Sequence, residues 1–256
     1  MNWLDWLIVP LFGFAAGFVD AVAGGGGLIQ LPALLAFFPQ YSIPQMLGTN
    51  KLAGFSGTLM AATRYAKKTP MNYRMLLPAI IGAFVFSFLG AYLVSFANKA
   101  MLEPIIIGLL IIILVYTITL KAKNIKPKKW FKYAIVPYFS FVLGSVLGLY
   151  DGFFGPGTGS FLMMALIAFA GMNFLESSGH AKLINVATNV AALIYFIPNG
   201  FVVYTIAIPL AIANVAGAWL GSHLAIKNGD KFIKPLYVLV VSALIVKMIF
   251  NLEIFS

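Results

Sequence analysis

The sequence predicts an all-α integral membrane protein of two inverted-topology repeats, each with about five hydrophobic segments and one short broken half-helix. Three observations predict it. Hydrophobic residues make up 61% of the chain and charged residues 9%, against roughly 25% charged in a soluble domain. The chain also repeats itself. Asp20, Gly24, Gly26, Gly48, Lys51, Leu52, Pro78, Gly90 and Pro104 recur 131 positions later as Asp151, Gly155, Gly157, Gly179, Lys182, Leu183, Pro209, Gly221 and Pro235, with no gap. Finally, the net charge of +10 is gathered mostly in three loops.

The apolar stretches follow in order: 3–22, 28–38, 46–65, 73–96, 101–120, 131–150, 158–171, 177–197, 201–226 and 232–250. Most approach the ~20 residues that cross ~30 Å of hydrocarbon. The stretches 28–38 and 158–171 are too short to cross unaided. Residues 1–120 form the first membrane repeat, 121–130 a basic cytoplasmic linker and 131–256 the second repeat. Asp5, with no basic run before the first apolar stretch, argues against a cleaved signal peptide. The absence of cysteine excludes disulfides, thiol catalysis and thiolate metal sites.

Charge sets the expected topology. Lys67, Lys68 and Arg74 follow the third stretch, six lysines from Lys121 to Lys132 follow the fifth, and Lys227, Lys231 and Lys234 follow the ninth. The positive-inside rule makes all three loops cytoplasmic. An odd number of crossings must then separate the first loop from its repeat counterpart, the uncharged Pro198-Asn199-Gly200. Counting the short stretches as crossings gives inverted halves with both termini outside. Counting them as re-entrant gives parallel halves and leaves a lysine-rich loop on the wrong side. The inverted arrangement fits the charges better.

Each short stretch follows a glycine-rich break, Ala23-Gly24-Gly25-Gly26-Gly27 or Phe154-Gly155-Pro156-Gly157-Thr158-Gly159. A helix of about eleven residues is ~16 Å long, half the bilayer core, so its N-terminus falls near the midplane. Unpaired N–H groups and a positive dipole end there suit an anion, so Gly25, Gly26, Gly27, Gly157, Thr158 and Gly159 are candidate ligands. The competing reading is that the glycines only allow close helix packing.

The lysines sharpen the expectation. Lys51 and Lys182 lie early in long apolar stretches, where insertion of a charge costs about 2.5–3.5 kcal/mol unless it is used or paired. Snorkelling to a headgroup is the alternative. Against it, Lys182, Asn185 and Asn189 share one helical face, as do Lys51, Gly54 and Thr58. Asn50 adds an amide beside Lys51. Asp20 and Asp151, which cannot bind an anion when ionised, are expected to compensate the lysines or carry a proton. His180 can change charge near neutral pH and is a candidate coupling group.

The segments Asp20 to Gly27, Pro32-Ala33-Leu34-Leu35 and Leu47-Gly48-Thr49-Asn50-Lys51-Leu52 resemble the first half of the TauE/SafE sulfite exporter family. The segments Tyr150 to Phe161, His180-Ala181-Lys182-Leu183-Ile184-Asn185 and Thr188-Asn189 resemble its second half. Ala21 stands where the family pattern implies a polar residue. The resemblance implies a bacterial inner-membrane carrier of sulfite, sulfonates such as sulfoacetate, or related sulfur anions.

The residue and family readings meet on a secondary transporter that exports a small oxyanion by alternating access around a midplane site. An anion channel, or a carrier of another small organic anion, is the alternative. No catalytic constellation supports an enzyme, and no cofactor, metal or nucleic-acid partner is expected. The partners are a small anion, a possible coupling ion and the bilayer.

Overall fold

A computed structural model of the chain describes residues 5–96, 136–229, 231–233 and 235. The stretch 101–120, the linker and nearly all of 232–250 lie outside the described residues. Eight helices are described: α1 Asp5–Ala23, α2 Gly27–Phe37, α3 Ile43–Ala66, α4 Tyr73–Ser95, α5 Val136–Phe153, α6 Thr158–Ala170, α7 Phe174–Phe196 and α8 Tyr204–Asn228. The described residues contain no strands. The starts of α2, α3 and α4 recur in α6, α7 and α8 at the same 131-residue spacing.

Local chemistry explains the boundaries. α3 and α7 begin three residues earlier than the apolar pattern predicts, because each opens with a capping box. Ser42 and Gln45 exchange side-chain and backbone hydrogen bonds, and Asn173 and Glu176 do the same at the duplicated positions. Between α1 and α2 the chain turns at Gly24, whose φ is 75°, and its duplicate Gly155 has φ 94°. Such left-handed backbone strongly favours glycine.

Two seams of small residues set the helix directions. Added Cβ atoms on Gly144, Gly148 and Gly152 of α5 would strike Ala79, Ala83 and Ser87 of α4, so these helices run parallel at close range. In the duplicated seam, Gly13 and Gly17 of α1 meet Leu210 and Asn214 of α8, while Gly217 and Gly221 meet Phe14 and Phe18. Between the seams lies an antiparallel pair. A Cβ on Gly48 would sit 3.2 Å from that of Phe196, and one on Gly179 would sit 3.4 Å from that of Tyr65. Thus α3 runs opposite to α7, its own duplicate. α2 turns back along α1, placing Gly26 beside Ala16 and Asp20 and the Phe37 ring 5.8 Å from that of Phe12, tilted by 46°.

This arrangement sorts polarity radially. α4, α5 and α8 are each long and apolar enough to cross a membrane. They expose side chains such as Leu77, Ile81, Val142, Val146, Ile208 and Ile212. α3 and α7 have more polar sequences and stand in the middle, where Thr49, Asn50, Lys51, Thr58, His180, Lys182, Thr188 and Asn189 are buried. Polar groups inside a bundle can find partners that lipid cannot supply.

The α4–α5 seam yields a stability test. A Cβ on Gly148 would approach Ala83 O to 2.5 Å, so Gly148→Leu must push the helices apart. It is expected to lower stability by at least about 2 kcal/mol, within the overpacking range. Melting temperature and monodisperse yield in detergent measure the loss; an unchanged melting temperature would show that the seam is loose.

Candidate functional site

The charges predicted to matter meet at the centre, and they meet crosswise. Lys51 Nζ on α3 lies 2.7 Å from Asp151 Oδ2 on α5. Lys182 Nζ on α7 lies 2.8 Å from Asp20 Oδ2 on α1. The duplication converts one pair into the other, so each half lends its lysine to the other half's aspartate. Thr58 Oγ1 also donates to Asp20 Oδ2 at 3.0 Å. Lys51 and Lys182 are buried rather than reaching for an interface, which excludes snorkelling in this structure.

The breaks meet at the same place. Ser160 N–H donates to Gly24 O at 3.1 Å and Ser160 Oγ–H donates to Ala23 O at 2.6 Å. A Cβ on Gly159 would lie 2.7 Å from Gly24 Cα, and one on Gly27 would lie 3.2 Å from Pro156 Cα. Gly157 holds φ 85°, whereas its counterpart Gly26 is right-handed at φ −56°. At α6 some N–H groups are already engaged: that of Thr158 bonds Gly155 O at 3.2 Å.

Beside the breaks is a polar cavity of about 50 Å³, room for about four waters or a small oxyanion. Of the predicted residues, Asp20, Gly26, Gly27, Asn50, Lys51, Thr58, Asp151, Gly157, Gly159, Asn185 and Asn189 line it. Gly25, Thr158, Lys182 and His180 do not. Thr158 Oγ1–H turns to Gly155 O at 2.7 Å, and Lys182 stands behind Asp20. His180 is held at both ring nitrogens. Its Nε2 accepts from Asn72 N–H at 3.0 Å, and its Nδ1 lies 2.8 Å from Glu176 O, so the imidazole ties α7 to the start of α4.

Gly54, on the face predicted for Lys51 and Thr58, also lines the cavity with Gly24 and Gly155, and Gln30 and Asn214, which were missed in the sequence, complete the lining. Asn214 Nδ2–H donates to Gln30 Oε1 at 2.8 Å, and Gln30 Nε2–H donates to Asn50 Oδ1 at 2.9 Å. The signal was a lone amide in an apolar run, Gln30 among Leu28, Ile29 and Leu31, and Asn214 among Ile212, Ala213 and Val215. These amides break the duplication, since their counterparts are Phe161, Ala181 and Ala83. Asn185 Oδ1 is buried with no hydrogen-bond partner, leaving an unmet acceptor on a residue of the cavity wall. Fixed ammonium, hydroxyl and amide groups around a small cavity can replace part of a polar ligand's hydration.

Comparison with known proteins agrees with this architecture. The sulfite exporter TauE/SafE family profile matches residues 9–248. A "probable membrane transporter protein ORF9" of Sinorhizobium is 36% identical over 241 residues, covering 92% of this chain and 89% of the relative. A "probable membrane transporter protein" of Haemophilus influenzae is 33% identical over 250 residues, covering 96% and 95%. The "probable membrane transporter protein YfcA" of Escherichia coli K12 is 32% identical over 236 residues, covering 92% and 86%. No solved structure matches the chain. With its profile match spanning nearly the whole sequence and its apolar helices built to cross a bilayer several times, the chain belongs to the TauE/SafE family of membrane transporters.

Proposed function

We propose that the protein is a secondary carrier of small sulfur-containing oxyanions, such as sulfite or a short sulfonate, exporting them across a bacterial inner membrane by alternating access. The observation that carries this reading is the buried lysine Lys51 on the wall of a polar cavity where two glycine breaks meet. The sulfur chemistry follows the family's description. Lys51 is the first cation an entering anion would reach, with Thr58, Asn50, Asn185 and Asn189 offering hydrogen bonds. The N-termini of α2 and α6 add a favourable potential.

Alternating access follows from opposed halves. The antiparallel course of α3 and α7 supports inverted repeats in the bilayer, joined by a cytoplasmic linker at 121–130. The ends differ in charge as the positive-inside rule requires. Arg64 packs on Trp219 at 5.4 Å and bonds His223 Nδ1 at 3.1 Å, close to Lys67, Lys68 and Lys227 in the chain. At the opposite end the duplicated positions hold Tyr195 against Phe88 and Tyr92. The basic end faces the cytoplasm and both termini lie outside.

The carrier is tested by counterflow. Liposomes preloaded with unlabelled sulfite, sulfoacetate or thiosulfate should accelerate uptake of the same labelled anion. A thermal-shift screen that adds sulfate, taurine and 3-sulfolactate ranks the ligands. Flux far above carrier rates, without acceleration from the trans side, would identify a channel.

Orientation has its own test, aided by the absence of native cysteine. Single cysteines at the exposed Lys68 and Asn199 should label from opposite faces with an impermeant maleimide, Asn199→Cys from outside. Labelling of both from one face would overturn the inverted arrangement.

Replacing one lysine should cost about 3–5 kcal/mol by stranding a buried carboxylate. Lys51→Ala and Lys182→Ala should therefore lower yield and transport together. The double variant Lys51→Met/Asp151→Leu should recover stability but not anion binding. Sulfite binding by that stable variant would remove Lys51 from the site.

Gly54 separates packing from function. It lines the cavity, and a Cβ there would meet nothing within 4 Å. Gly54→Ala should keep or raise the melting temperature, since alanine is the better helix former by up to about 1 kcal/mol. Gly54→Val should remain folded while filling the cavity and weakening binding at least tenfold. Full affinity in folded Gly54→Val would place the anion elsewhere.

A further inference from the structure

We propose that transport is coupled to protons through Asp151: an entering anion takes Lys51 from the Asp151 carboxylate, which accepts one proton. The proposal rests on the carrier reading above and names its coupling ion. It starts from a charge count. Among the described residues, the ionised side chains at the centre are Lys51, Lys182, Asp20 and Asp151, and they cancel in two pairs. Among the described residues no spare cation is left to neutralise an anion.

The other groups facing these pairs do not supply one. α2 and α8 present the neutral amides Gln30 and Asn214. α6 presents Gly157 and Gly159, and α7 presents Asn185 and Asn189 beside Lys182. From α3, Tyr65 OH donates to Ala21 O at 3.0 Å, and from α5, Tyr150 OH donates to Pro156 O at 2.6 Å. His180 lies off the cavity with both ring nitrogens engaged. The dipoles of α2 and α6 are equally present in the empty and loaded states, so they favour an anion without adding a charge on loading. A monovalent anion entering alone would leave the site with a net negative charge in a medium that screens poorly.

The two pairs are not equally placed to respond. Lys51 and Asp151 both line the cavity, whereas Lys182 is wholly buried behind Asp20. An anion therefore meets Lys51 first. The ammonium turns from its ion pair with Asp151 to the anion, and the freed carboxylate takes a proton from cavity water. The loaded site is again neutral. Release reverses both steps, so one proton accompanies each monovalent anion in the same direction, and net export requires an outward anion gradient larger than any inward proton gradient. Anion and proton each strengthen the other's binding, a reciprocity required by linkage.

The test uses the full chain in liposomes with radiolabelled 2-hydroxyethanesulfonate, whose sulfonate stays ionised across about pH 5–8 and cannot itself carry the proton. With the membrane potential clamped by potassium and valinomycin, one pH unit (inside alkaline) should accumulate the probe about tenfold. A trapped pH dye should report one proton entering per anion. In Asp151→Asn, probe binding should lose its pH dependence and any net uptake should move no protons. If that variant misfolds, the wild-type stoichiometry decides alone. Uptake that follows only the membrane potential, or only a sodium gradient, without proton movement would overturn the coupling and leave the carrier standing. No uptake of this probe, sulfite, thiosulfate or sulfoacetate would overturn the carrier reading and the coupling with it.

Discussion

Keeping four charges neutral at the centre of an apolar protein is the constraint on which the rest of the structure depends. A lone ion there would be very costly, so each must have a partner at hydrogen-bonding distance. The partners come from opposite halves: Lys51 with Asp151, and Lys182 with Asp20. Asp20 and Lys51 belong to the same half yet do not pair with each other. Crossed pairing makes the two halves mutually dependent, and it places their junction where the polar groups of α3 and α7 are buried.

Close approach makes that pairing possible. Glycines on α1 and α5 bring the backbones of α8 and α4 near, and the break at Gly24 lies against Gly159 of the other half. Larger side chains would hold the aspartates away from the lysines. The same economy of volume leaves a small polar cavity instead of a filled core. Two opposed halves in reciprocal contact also offer a route to alternating access in the proposed mechanism, because each half can exchange its local arrangement with the other.

Chemical individuality lies where the duplication fails. Gln30, Asn50 and Asn214 form an amide chain whose counterparts are Phe161, Ala181 and Ala83. Gly54 faces the cavity where its counterpart is Asn185. A perfectly symmetric site would treat both ends of a ligand alike. This one presents different groups from its two halves and, in the proposed function, can therefore orient an asymmetric anion. The same divergence operates at the helix ends, where Arg64, Trp219 and His223 replace the aromatic cluster of Tyr195, Phe88 and Tyr92.

Membrane residence, the duplication, the helix order and the central lysines and aspartates were legible from the sequence, because each follows from composition or from spacing along the chain. Apolar length fixes what can cross a bilayer, and a charge inside such a stretch stands out against its neighbours. Pairing was not legible, since Asp20 and Lys182 lie far apart in sequence and only the packing of α1 against α7 brings them together. Nor was the lining of the cavity. Gln30 and Asn214 looked like isolated amides, and His180 shared a motif with Lys182, yet helix rotation sends the amides to the cavity and the imidazole to Asn72. The sequence determined which groups must be sheltered from lipid; the tertiary structure decided which of them share a site, because a helix turns side chains one residue apart by about 100°.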